Sequence, residues 1–316
     1  MSRIPHTLAA SVALFAAVLL AQDKKGAVTD VAKADADFAV QGEYVVEIME
    51  DGKAVKFGVQ VVARGGGKFR AVALRGGLPG DGWDKGKKIQ ADGATADGVA
   101  KFSGLLGDAA IKDGVLTISG AAGKIGESKR VVRKSPTEGA KAPEGAVVLF
   151  DGKSAENFKG GKLTEDGLLN AGCSSKQSFK DFTLHLEFRT PYQPFAGGQG
   201  RGNSGVYLHG KWEVQVLDSF GLEGKADECG GFYGFRKPDV NMCLPPLSWQ
   251  TYDIEMSSGK PDADGKVAGP TVTVRHNGVV IHENAVLKGA GNGGPFNLQN
   301  HGNPVHFRNI WLVEKK

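Results

Sequence analysis

Between residues 38 and 134 apolar and polar positions alternate in short runs. Tyr44-Val45-Val46-Glu47-Ile48 and the segments 56–62, 69–74, 99–102 and 115–118 each fit a strand, in which successive side chains point to opposite faces. Asp51-Gly52, Gly65-Gly66-Gly67, Asp97-Gly98 and Asp113-Gly114 separate these runs and supply the backbone freedom that tight turns need. The pattern predicts a small β-rich domain of hairpins over residues 22–134, opened by a polar lead-in at 22–36. Asp81, Trp83 and Asp84 in its Gly-rich loop read as a surface turn. Residues 135–146 are rich in Pro, Gly and Ala and poor in apolar residues, which is linker composition. Strand signals resume at Val147 and recur at about 179–189, 205–209, 212–218, 249–256, 271–276, 279–283 and 305–313. Within them, His276-Asn277-Gly278 marks a two-residue hairpin turn. So many short strands without an amphipathic helix predict an all-β chain. Its C-terminal domain, residues 147–316, is expected to be a jelly-roll β-sandwich.

Two of these runs carry polar groups in register. In residues 182–189, Phe182, Leu184, Leu186 and Phe188 share one face, and Thr183, His185, Glu187 and Arg189 share the other. In residues 202–221, Val214 and Val216 face a core while Glu213 and Gln215 face away. A bulge of one residue would bring Asp218 to their side, completing the spacing E-x-Q-x-x-D. If both polar faces belong to the concave side of one sheet, they form a carboxylate-lined groove suited to a sugar. Tyr207, Trp212, Tyr233, Phe235 and Trp249 are available for stacking. Near the C-terminus, Gln299 and His301 share one parity, and His306 and Arg308 another. A histidine in a Gly/Asn turn can act as a base or bind a metal.

Composition narrows the picture. Arg3, the 13-residue apolar run from Leu8 to Leu20 and the polar stretch after Ala21 read as a signal peptide over residues 1–21, so the chain is expected to be periplasmic or secreted. No membrane partner is expected after cleavage. Residues 22–141 hold 20 Lys/Arg against 16 Asp/Glu, and residues 142–316 hold 18 against 19. The second half therefore lacks the basic groove that nucleic acid requires. Export permits a disulfide, and Cys229 and Cys243 are the pair expected to form one, leaving Cys173 free. The spacing of the three cysteines does not suit a metal. No G-x-S-x-G, H-E-x-x-H or phosphate loop occurs. Asp262-Ala263-Asp264-Gly265 lacks the glutamate of a calcium loop and reads as a hairpin turn.

Several segments in order resemble the 3-keto-disaccharide hydrolase domain family. They are Leu149-Phe150-Asp151-Gly152-Lys153, Leu186-Glu187-Phe188-Arg189, Asn203-Ser204-Gly205-Val206-Tyr207-Leu208 and Glu213-Val214-Gln215-Val216-Leu217-Asp218. Trp249 to Ile254, His276-Asn277-Gly278, Leu298 to Gly302 and Val305 to Ile310 follow. The resemblance covers nearly all of residues 147–316. It implies a concanavalin A-like sandwich and, as substrate, a glucoside or disaccharide oxidised to a ketone at C3. A C3 ketone acidifies the C2 proton, so proton abstraction, elimination and hydration would give net hydrolysis. On this reading Glu187 or His301 is the base, and Arg308, or a bound divalent metal, stabilises the enolate. Glu213 and Asp218 bind the sugar or assist the leaving group. His185, Tyr207, Gln215, Tyr233, Trp249 and Gln299 contact the substrate. Two alternatives stay open: an ordinary two-carboxylate glycoside hydrolase and a non-catalytic carbohydrate-binding module.

Overall fold

A computed structural model describes residues 26–259 and 269–315. The leader read at residues 1–21 and the turn read at 262–265 lie outside the described residues. Residues 42–131 form a closed antiparallel barrel of eight strands in sequence order. They are β1 (Gly42–Glu50), β2 (Lys53–Ala63), β3 (Lys68–Arg75), β4 (Ile89–Ala96), β5 (Val99–Ser103), β6 (Asp108–Lys112), β7 (Val115–Gly120) and β8 (Gly123–Val131). Pairing of Glu43 with Val131 and of Tyr44 with Arg130 closes it. Tyr44, Phe57, Val59, Phe69, Phe102, Ile111, Leu116 and Ile118 fill its core. The turns expected at Asp51-Gly52, Asp97-Gly98 and Asp113-Gly114 all carry positive φ at both residues. Three of these eight strands escaped the sequence reading. β4 and β8 present mostly exposed residues, and β6 is only five residues long with two of them buried, so their apolar signal is weak.

Residues 147–314 form two stacked sheets. The strands are β9 (Val147–Phe150), β10 (Phe158–Lys159), β11 (Leu169–Asn170), β12 (Cys173–Ser175), β13 (Phe182–Arg189) and β14 (Ser204–Leu208). They continue with β15 (Trp212–Val216), β16 (Gln250–Ser257), β17 (Thr271–His276), β18 (Val279–Val286), β19 (Asn297–Leu298) and β20 (His306–Glu314). One sheet has five strands in the order β10-β12-β19-β14-β15. The other has seven, in the order β11-β20-β13-β16-β17-β18 with β9 beside β20. Leu184, Leu186 and Phe188 of the seven-stranded sheet join Val206, Leu208, Val214, Val216 and Leu298 of the five-stranded sheet in one apolar core. This is the sandwich that strand count predicts. Asn277 and Gly278 take φ of 50° and 79°, as a type I′ turn requires.

The two units touch. Arg201 Nη1 donates to the Ala63 carbonyl at 3.2 Å, and Lys88 Nζ donates to the Leu222 carbonyl at 2.8 Å. The lead-in joins this contact: Val28 bridges Tyr192, whose hydroxyl donates to Asp35 at 2.8 Å. The expected Cys229–Cys243 disulfide is absent, and all three cysteines are buried free thiols. Cys229 Sγ lies 3.3 Å from the Tyr252 hydroxyl, and the Cys243 thiol donates to the Leu217 carbonyl at 3.5 Å. Among the described residues no helix is long and apolar enough to cross a membrane.

Candidate functional site

The two polar faces read from the sequence belong to opposite sheets. Alternation puts Glu187 and Glu213 each on the side away from the core. Glu187 lies on β13 of the seven-stranded sheet and Glu213 on β15 of the five-stranded sheet. "Away from the core" therefore means two opposite outer surfaces, and the expected single groove divides.

On the seven-stranded sheet the polar face is covered. Residues 135–140 cross it as a strap. The Gly139 amide donates to Glu187 Oε1 at 2.6 Å, Arg308 Nε donates to Oε2 at 2.6 Å, and Asn309 Nδ2 donates to Oε1 at 2.8 Å. A bulge between β13 and β20 makes this possible, with Asn309 at φ 47°. The extra residue sets Arg308 and Asn309 side by side over Glu187. His185 bonds Asp253 through Nδ1 at 2.6 Å and stacks on Trp311 at 4.9 Å. Thr137 donates to Asp253 at 2.7 Å, and Trp311 donates to the Ala140 carbonyl at 3.2 Å. Glu187 and His185 are both 0% exposed. Burial opposes ionisation of Glu187, but hydrogen bonds from His185, Asn309, Gly139 and Arg308 prevail and hold its carboxyl at about 2. Burial likewise opposes protonation of His185, and its bonds to Asp253 and Glu187 prevail to raise its pKa.

These contacts place four of the expected site residues on this strapped face. Glu187, expected as base, and Arg308, expected as enolate stabiliser, form an ion pair in which Glu187 is buried and Arg308 is 34% exposed. His185 is a buried brace rather than a substrate contact. Trp249 packs beneath the Arg308 guanidinium at 4.0 Å, on this same covered face. Asp218 is also displaced from the groove. It accepts from Arg201 Nε at 2.6 Å and is 3% exposed. With Val62, Arg64 and Phe195 it borders a cavity of about 410 Å³ where barrel and sandwich meet. β15 ends at Val216, two residues before Asp218.

The outer face of the five-stranded sheet is open, and it gathers the remaining residues. Tyr207 lies opposite Glu213 in the β14–β15 register. Its hydroxyl donates to Glu213 Oε2 at 2.9 Å and accepts from Gln299 Nε2 at 3.0 Å. Gly205 makes the arrangement possible, because a Cβ there would collide with the Glu213 carboxylate. Gln215 donates to Gln199 Oε1 at 3.1 Å, and Asn203 donates to the same oxygen at 2.9 Å. The segment 230–233 pairs along the free edge of β15, with Tyr233 N donating to the Glu213 carbonyl at 3.1 Å. It raises one wall of a cleft of about 430 Å³ that holds Tyr207, Glu213 and Tyr233.

Burial raises the pKa of Glu213, while the Tyr207 hydroxyl and the charge of nearby His301 act against that rise. Tyr207 itself is pushed up to about 12 by burial and by its bond to Glu213. Glu213 Oε1, Gln215 Oε1, Gln299 Oε1 and Asn203 Oδ1 are all buried without a hydrogen-bond partner. Buried acceptors without donors are costly, and Glu213, the one of these four residues that lines the cleft, would be satisfied there by a sugar hydroxyl. The cleft offers a single carboxylate, where hydrolysis of an unoxidised glycoside needs two. Among the described residues no group of three or more His, Cys, Asp and Glu is arranged to hold a metal. Gln199, Asn203, Lys211 and Lys288 belong to this side of the molecule and were not foreseen. Gln199, Asn203 and Lys288 come from loops without alternation, and Lys211 sits in a turn between two predicted strands.

A family model described as a 3-keto-alpha-glucoside-1,2-lyase-like domain matches residues 145–313. No curated protein matches the chain. The chain is similar to solved structures from Parabacteroides distasonis, each described as a candidate glycosyl hydrolase. One is 34% identical, covers 55% of this chain and 85% of its own, and has a TM-score of 0.49. A second is 20% identical, covers 59% and 99%, and has a TM-score of 0.42. A third is 21% identical, covers 54% and 99%, and has a TM-score of 0.40.

Proposed function

The chain belongs to the 3-keto-alpha-glucoside-1,2-lyase-like domain family, and from that premise we propose that it cleaves 3-keto-glycosides in the cleft on its five-stranded sheet. Membership makes it a carbohydrate-active enzyme; the substrate, the site and the steps are the proposal. Glu213 is the base. Its carboxylate removes the proton from C2, which the neighbouring ketone acidifies, and the electron pair passes into the C3 enolate. Collapse of the enolate breaks the C1–O bond, and the departing alkoxide takes up a proton. Water then adds its oxygen to C1 and a proton to C2, so the sum is hydrolysis. Tyr207 holds the Glu213 carboxylate in place. His301, close enough for its charge to act on Glu213, supplies a donor. Gln215, Gln299 and Asn203 accept from sugar hydroxyls. Export through the leader read at residues 1–21 is part of the same proposal.

The observation that carries this reading is a buried carboxylate with a raised pKa among acceptors that lack donors. A base poised above the usual carboxylate range is suited to abstracting a carbon-bound proton at neutral pH. The test is turnover of a 3-keto-glucoside in D₂O followed by NMR. Deuterium at C2 of the released 3-keto sugar, with the unoxidised glucoside inert, is the expected result. Equal turnover of both substrates without deuterium uptake would point to ordinary hydrolysis. Binding of the 3-keto-glucoside without turnover would point to a carbohydrate-binding module.

A further inference from the structure

The cleft does not end at Glu213. Beyond it the lining consists of aromatic rings and ammonium groups. Trp212, Tyr233 and Phe235 line this end, with Tyr233 49% and Phe235 42% exposed. Exposed aromatic rings gathered in one concave place are a mark of a binding surface. Two lysines stand over them. Lys211 Nζ lies 5.7 Å from the centre of the Trp212 ring, and Lys288 Nζ lies 5.6 Å from that of Phe235. Trp212 Nε1 donates to the Lys288 carbonyl at 3.0 Å, and Lys211 Nζ donates to the Ala290 carbonyl at 3.2 Å. These bonds tie the two basic segments to the same wall. Neither lysine forms an ion pair among the described residues.

From this lining we infer that the far end of the cleft is a leaving-group subsite for an aromatic acid, a flat ring bearing a carboxylate. The inference rests on the proposed reading, in which the sugar sits at Glu213. Rings on the wall stack against an aromatic aglycone. The two ammonium groups at the rim pair with its carboxylate, away from the negative charge of Glu213. A second sugar fits this end poorly. Sugar hydroxyls need acceptors as well as donors, and beyond Glu213 and Tyr207 the Tyr233 hydroxyl is the one neutral side-chain acceptor among the residues lining the cleft. Each exposed ion pair is worth about threefold in affinity, so the two together give roughly tenfold.

The experiment compares two 3-keto-glucosides of matched leaving-group chemistry, one of 4-hydroxyphenylacetate and one of its neutral amide. The acid is expected to have a kcat/KM roughly tenfold higher, with an advantage that shrinks as salt rises. In the double variant K211Q/K288Q the ratio is expected to fall to near one. An acid-to-amide ratio at or below one in the native enzyme overturns the inference, as does a ratio that survives in the double variant. A second arm measures binding of free 4-hydroxyphenylacetate and its amide by tryptophan fluorescence. If neither keto-glucoside is turned over, the proposed function fails and this arm alone judges the subsite. Tighter binding of the acid, lost in K211Q/K288Q, supports it; equal binding of acid and amide overturns it.

Discussion

Replacing Glu187 by Gln separates the two faces of the sandwich, because it should cost stability and leave chemistry in place. Glu187 accepts from Gly139, Arg308 and Asn309 at 2.6 to 2.8 Å and is sealed from solvent. Its carboxyl lies at about 2 in the folded chain against a usual 4.5. At about 1.36 kcal/mol per pH unit, that gap corresponds to about 3 kcal/mol of stability. The sign follows from the depressed pKa. The contribution is fully present above about 4.5 and is lost as pH falls towards 2. In urea unfolding at pH 7, E187Q should therefore be about 3 kcal/mol less stable than the native chain, and at pH 3 the difference should shrink to about 1 kcal/mol. Turnover per folded molecule should stay within a few-fold of native. A loss of turnover by orders of magnitude with unchanged unfolding would refute the reasoning and return Glu187 to the role of base.

Gly205→Ala drives a Cβ into the Glu213 carboxylate, so kcat should fall by about a hundredfold or more while circular dichroism stays native. The acid limb of kcat/KM should lie above the ordinary carboxylate range, because Glu213 must be ionised and burial raises its pKa. Tyr207→Phe removes a hydrogen bond that favours the ionised form, so that limb should move further up in pH-rate profiles. Asp218→Asn leaves Arg201 buried without its counter-ion; chemical denaturation should report a loss of about 3–5 kcal/mol, with turnover of folded enzyme retained.

The strands with strong alternation were legible in the sequence. β1, β2, β3, β13, β15, β17 and β20 each set apolar residues on one face, and the Asn277-Gly278 turn carries its own conformational signal. β4, β6 and β8 were not, because a barrel strand can bury as few as one or two side chains and then has too few apolar positions to stand out. The candidate site was legible in part. Alternation turned Glu213 and Gln215 away from the core, as the sheet register has them. It could not say that Glu187 looked the opposite way, because period-two patterning gives a side chain's face and not its sheet. Nor could it see that residues 135–140, linker by composition, would close over Glu187 through Gly139 and Ala140. The ion pair of Asp218 was hidden for a related reason: its partner Arg201 lies 17 residues back in a loop. The aromatic and basic end of the cleft depends on the approach of Lys288 to Trp212, a contact 76 residues apart that no local pattern records.

The central claim is that Glu213 is the base, and the most direct measurement is turnover of a 3-keto-glucoside by Glu213→Gln. The side chain keeps its shape and its place beside Tyr207 but can no longer take a proton. The account predicts a fall in kcat of about 10³-fold, with substrate binding and melting temperature close to native. A rate within a few-fold of native would contradict it.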